Sequence, residues 1–203
     1  MSVIEWWIAG ALAVGSLMAA RGVAHTGALA APADDEASNV PHVAASAYGR
    51  CYAKAVPDSL YGQRGRTTVY WVQAGEDSLL ATHDWYSQRI YLECNVAAGD
   101  GPVGLSVVRM GPWSRGREAR AEDLALAFYR NGALLRRYST LAIAGRPDRV
   151  RASVSHYVVI DSIVGYRWVD SNRYEFVLRT VDGRRLIFDP ATGERITRTR
   201  GSR

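Results

Sequence analysis

The chain has 203 residues, 48% of them hydrophobic and 22% charged, with a formal net charge of +5. That balance excludes a disordered chain, which combines lower hydrophobicity with higher net charge, and two cysteines exclude a disulfide-dense mini-scaffold. Lys54 is the single lysine among 25 basic residues, so arginine carries the positive charge. Arginine's planar fork matches phosphates and carboxylates, but an excess of this size identifies no partner by itself.

Residues 3 to 20, VIEWWIAGALAVGSLMAA, form an apolar stretch broken once by Glu5. It is near the roughly 20 residues that span a bilayer as a helix. It also fits the apolar core of a signal peptide, and the small-x-small triplets at 22–24, 28–30 and 31–33 offer cleavage sites. No Lys or Arg precedes the run and Arg21 follows it, which leaves signal peptide, uncleaved anchor and buried helix all open. Residues 1–33 are therefore expected to be a signal peptide or signal anchor, and the acidic, small-residue stretch 34–47 a flexible linker. Cys51 follows Tyr48-Gly49-Arg50, which is not the small and aliphatic context of a lipid-modified cysteine.

From Tyr48 the pattern changes to period two, with Gly, Asn, Asp and Pro punctuation at roughly 8 to 12-residue spacing, as in all-β sandwiches and barrels. Strand runs are CYAKAV, RTTVYWVQA, SLLATHDWY, QRIYLECNV, LSVVRM, ASVSHYVVID and IVGYRWV. The hairpin LALAFYR-NG-ALLRRYST turns at Asn131-Gly132, a pair suited to the type I′ turn because both positions need positive φ. A second hairpin, RYEFVLRTV-DG-RRLIFD, turns at Asp182-Gly183, and a further turn is expected over 189–193. The only stretch that could be helical is 117–129, and its amphipathicity is poor. The spacing predicts one antiparallel β-sandwich or barrel-like domain of about ten short strands over 48–198, behind an N-terminal apolar helix, with a basic tail at 199–203.

The strand-turn-strand segments around 66–85, 124–140 and 174–196 resemble half-blades of a β-propeller, and FDPATGE is similar to the last strand of some propeller repeats. A propeller needs at least four blades of four strands, so these segments are read as ordinary hairpins. The strings CYAK, WYS, GPW, AFYRNG, YSTL, SVSHY and GYRW resemble a set of exported, β-rich bacterial proteins of uncharacterised activity, over about residues 49–193. The resemblance rests on aromatic and turn residues and implies no activity.

Cys51 and Cys94 fall in expected strands, and in an exported body they can pair or remain two buried thiols. Neither has a second Cys or a His at zinc-ligand spacing, and no metal or other cofactor is expected. His83, Asp84, His156 and Asp161 are the candidates for catalysis; a triad can be imagined from Ser155, His156 and either Asp84 or Asp161, but in a strand Ser155 points away from its neighbour His156. No GxSxG elbow is present. Glu93, Asp84 and Asp161 could supply a carboxylate pair. The glycine-containing loops at 62–66 and 145–149 match no nucleotide motif and read as turns.

The distinctive pattern is aromatic residues interleaved with arginine: Trp113, Arg115 and Arg117; Arg136, Arg137 and Tyr138; Tyr166, Arg167 and Trp168. Rings stack on sugars or bases, and guanidiniums take phosphates or carboxylates, although period two also produces alternating core rings and exposed arginines. The expectation is an exported, non-catalytic envelope protein, periplasmic or at the cell surface and, where residues 3–20 stay uncleaved, tethered by them to the inner membrane. It would bind a glycan, lipid or partner protein through this surface, in preference to nucleic acid. The alternatives are an exported hydrolase using His83 or His156 and a cytoplasmic nucleic-acid binder.

Overall fold

A computed structural model describes residues 38–96, 104–170 and 173–197. The expected signal or anchor at 1–33, with its apolar helix, and the basic tail at 199–203 lie outside the described residues. Fourteen strands and one short helix follow in chain order. They are β1 (His42–Ala45), β2 (Cys51–Pro57), β3 (Gly65–Trp71), β4 (Ser78–His83), β5 (Ile90–Val96), β6 (Gly104–Met110), β7 (Ser114–Arg115), β8 (Leu124–Arg130) and β9 (Ala133–Ser139). Helix α1 (Thr140–Ala144) precedes β10 (Arg151–Ala152), β11 (His156–Val158), β12 (Ile160–Asp170), β13 (Arg173–Thr180) and β14 (Arg185–Phe188).

The protein is mainly β, and the strands of the described residues form four antiparallel sheets, none of them closed into a barrel. The first sheet is the meander β1-β2-β3-β4, the central sheet is β5-β6-β8-β9, the third is β12-β13-β14, and a small sheet is β10-β11-β7. One apolar cluster joins Cys51, Ala53, Ala55, Val69 and Ala81 of the first sheet to Leu92, Val107, Ala127 and Tyr129 of the central sheet. A second cluster joins Val108, Leu126 and Phe128 on the other central face to Phe176, Leu178, Leu186 and Phe188 of the third sheet. The central sheet is thus buried on both faces, and the architecture has three layers where a sandwich has two.

Sequence and burial agree on this layering. β2 alternates buried and exposed positions because one face is wet. β6 and β8 are buried almost without interruption, and their sequences, GLSVVRM and LALAFYR, are correspondingly near-continuous apolar runs. The buried disulfide Cys51–Cys94 ties β2 to β5, and so the first layer to the second.

The hairpin at Asn131-Gly132 forms as expected, with φ of 47° and 86°. The second hairpin turns at Asp182-Gly183, but only Gly183 takes positive φ, so it is a longer turn than the two-residue type. Two expectations are corrected. The stretch read as linker contains β1, which pairs antiparallel with β2 through His42↔Ala55 and Ala44↔Ala53. The one helix among the described residues lies at Thr140–Ala144, outside the only stretch considered for one, while Leu124–Arg130 is strand, as the hairpin reading expects. Ser139 caps the helix by accepting from the Ala142 N–H, and Gly145 closes it with φ of 75°.

Candidate binding groove

Four separate segments converge on an open groove of about 410 Å³. The β2–β3 connection supplies Tyr61 and Gln63, and the stretch after β6 supplies Pro112, Trp113 and Arg115. The approach to β8 supplies Glu122 and Asp123, and β9 supplies Arg137. Gly111 makes the placement of Trp113 possible. Its N–H donates to the Ala125 carbonyl, and a Cβ on it would fall 1.7 Å from the Leu124 carbonyl oxygen. Trp113 is half-buried and meets the His156 ring edge-on, with centroids 6.4 Å apart.

One acidic wall of the groove is fixed from below. The Tyr157 hydroxyl donates to Asp123 at 2.6 Å and contacts Thr140 Oγ1 at 2.8 Å. Thr140 Oγ1 in turn donates to the Arg120 carbonyl and accepts from the Arg120 N–H. Burial, reinforced by the bond to Asp123, raises the Tyr157 pKa, so this hydroxyl keeps its proton.

From the central sheet Arg137 lines the groove, and Arg109 is linked to it through the lining residue Gln63. Ile90, Arg109, Ala127 and Arg137 form one cross-strand row on the face toward the first sheet. The Arg109 guanidinium lies over the Trp85 ring, 4.9 Å from its centroid, and donates to Gln63 Oε1. Burial lowers the Arg109 pKa, a hydrogen bond with Tyr129 opposes that, and the neighbouring Arg137 charge adds to the lowering. His83 stacks on Trp85 with centroids 4.8 Å apart and meets Tyr129 at the same distance. Burial, then the Arg109 charge, lowers the His83 pKa.

Of the nine residues expected to bind, Trp113, Arg115 and Arg137 share this groove. Arg117 is exposed on the loop after β7. Arg136 lies on the opposite face of β9 and pairs with Glu194 at 3.0 Å. Tyr138 packs on Phe188 and donates to the Gly193 carbonyl. Tyr166 contacts Ser106 Oγ at 2.9 Å and packs edge-on against Phe176. Arg167 pairs with the buried Glu175 at 2.6 Å, and Trp168 sits against Tyr174.

The four catalytic candidates are dispersed. His83 is inside the aromatic stack, and Asp84 beside it is exposed. Asp161 pairs with Arg151 at 2.7 Å. His156 Nδ1 contacts Ser155 Oγ at 2.7 Å. That contact corrects the expectation that the two point apart: Ser155 precedes β11, so strand alternation does not govern it. No group of three His, Cys, Asp or Glu that could hold a metal occurs among the described residues.

Sequence reading missed Tyr61, Gln63, Arg109, Glu122 and Asp123. The first two lie in a loop read only as a turn. Arg109 ends an apolar strand, and nothing local marks the face it takes. No family model, curated protein or solved structure matches this chain.

Proposed function

We propose that the chain is an exported, non-catalytic envelope protein that holds a glycan in the Trp113 groove. The observation that carries the reading is the convergence of three separate segments, bearing Tyr61 and Gln63, Trp113 and Arg115, and Arg137, on one open groove. Exposed rings beside fixed donors and acceptors suit sugar rings, which present an apolar face and an edge of hydroxyls. A groove of mixed polarity is a poor match to a lipid tail. The buried disulfide supports an oxidising compartment.

The test is calorimetric titration of the purified chain with neutral and acidic oligosaccharides, with anionic lipid vesicles alongside. Saturable binding to an oligosaccharide that falls at least tenfold in Trp113→Ala supports the reading. Binding to vesicles alone, or oligosaccharide binding that Trp113→Ala leaves unchanged, overturns it.

A further inference from the structure

Arg109 and Arg137 flank Ala127 in one cross-strand row, on strands β6 and β9 of the same sheet face. Neither has a carboxylate partner among the described residues. Arg109 is only half-buried, and Gln63, which accepts from it, lines the groove together with Arg137. Arg109 Nε and Trp85 Nε1 are buried without a hydrogen-bond partner, and the Arg109 guanidinium lies over the Trp85 ring. Leaving buried donors unpaired is costly, and an acceptor brought to Arg109 would offset part of that cost. The acidic residues of the groove do not fill that role: Asp123 is engaged by Tyr157, and Glu122 is exposed.

We propose that Arg109 and Arg137 form the anion-recognising end of the groove, and that the ligand is a glycan carrying carboxylates, such as a uronic-acid polymer. This rests on the glycan reading above and narrows it. Two guanidiniums on one rigid sheet face take a carboxylate by charge-assisted hydrogen bonds, which are the stronger kind and carry geometric specificity. Gln63 holds the Arg109 fork, and the Trp85 ring supports it from beneath. Tyr61 and Trp113 provide surfaces for the sugar rings further along.

The experiment titrates the full chain with oligogalacturonate and with the same oligomer as its methyl ester. The expected result is binding of the acid form at least tenfold tighter than the ester, weakening as salt is raised. Arg137→Gln, on an exposed strand, removes most of that preference. Arg136→Gln, on the opposite face of β9, leaves it intact. Arg109→Lys keeps the charge without the fork and reduces the preference, read only after its thermal melt matches the parent. Equal binding of acid and ester overturns the carboxylate assignment and leaves glycan binding standing. Binding of neither oligomer overturns the inference, and it takes the glycan reading with it if the wider oligosaccharide panel is silent too. Inorganic phosphate that binds as tightly as the acid oligomer overturns the sugar part of the assignment.

Discussion

Cys51 and Cys94 stand 6.2 Å apart at Cα and join the first sheet to the central sheet inside a fully buried cluster. They are 43 residues apart in sequence, and closing a loop of that length stabilises by about 4 kcal/mol on the chain-entropy model. Urea unfolding of the oxidised and the reduced chain is expected to differ by about that amount. Equal midpoints would mean that the cross-link does not constrain the unfolded chain.

Gly111→Ala should cost about 3 kcal/mol or more, because the added methyl meets the Leu124 carbonyl and neither backbone can move cheaply. Gly75→Ala adds its methyl to open space and should change stability by less than about 0.5 kcal/mol. Thermal melts of the pair check the contrast. Gly111→Ala should also weaken ligand binding, since Trp113 follows two residues later.

The buried His83 makes stability pH-dependent. Its folded pKa lies below its unfolded value of about 6.5, so the unfolded chain binds more protons between the two. This contribution is complete above the unfolded pKa and declines as pH falls toward the folded pKa. His83→Phe keeps the stack on Trp85 and removes the titration. The loss of stability between pH 7.5 and 5.5, read from denaturant midpoints, should therefore be smaller in the variant than in the parent.

Tyr157→Phe removes a hydrogen bond to a carboxylate and should destabilise by roughly 2 kcal/mol. Asp123→Asn retains an acceptor oxygen and should cost less. Chemical denaturation of both variants checks the order. The reverse order would mean that the Asp123 charge, and not its acceptor oxygen, matters.

Export and cross-linking can be read together from the intact mass of the protein in fractionated cells, with thiol alkylation before and after reduction. Cleavage near residue 24, 30 or 33, with no alkylation before reduction, is the expected result. A full-length mass with two reactive thiols would place the body in a reducing compartment.

Much of the fold was legible because its signals are local. Asn131-Gly132 marks its hairpin through the positive φ both residues adopt, and β2 and β3 alternate because one face is wet. The third layer was not legible. GLSVVRM and LALAFYR hold the clue in their lack of alternation, but only stacking on both sides gives that clue its meaning. β1 was missed because HVAA is short and takes its identity from pairing with β2. The groove divides similarly. Trp113, Arg115 and Arg137 could be named by residue type. Arg109 could not, since its role follows from which face of the central sheet meets the first, a relationship between distant parts of the chain.

The order of the layers also bears on how the chain assembles. Residues 42–83 make the first sheet and 160–188 the third, each from one uninterrupted length of chain, whereas the central sheet, drawn from 90–139, is interrupted by β7, which pairs with the later β11. The first meander can therefore pair before any later strand is available. The partner of Cys51 lies on β5, the first strand of the central sheet, so the cross-link spans the junction of the first two layers and needs none of the later strands. The other face of the central sheet, with Val108 and Phe128, is covered by the last three strands.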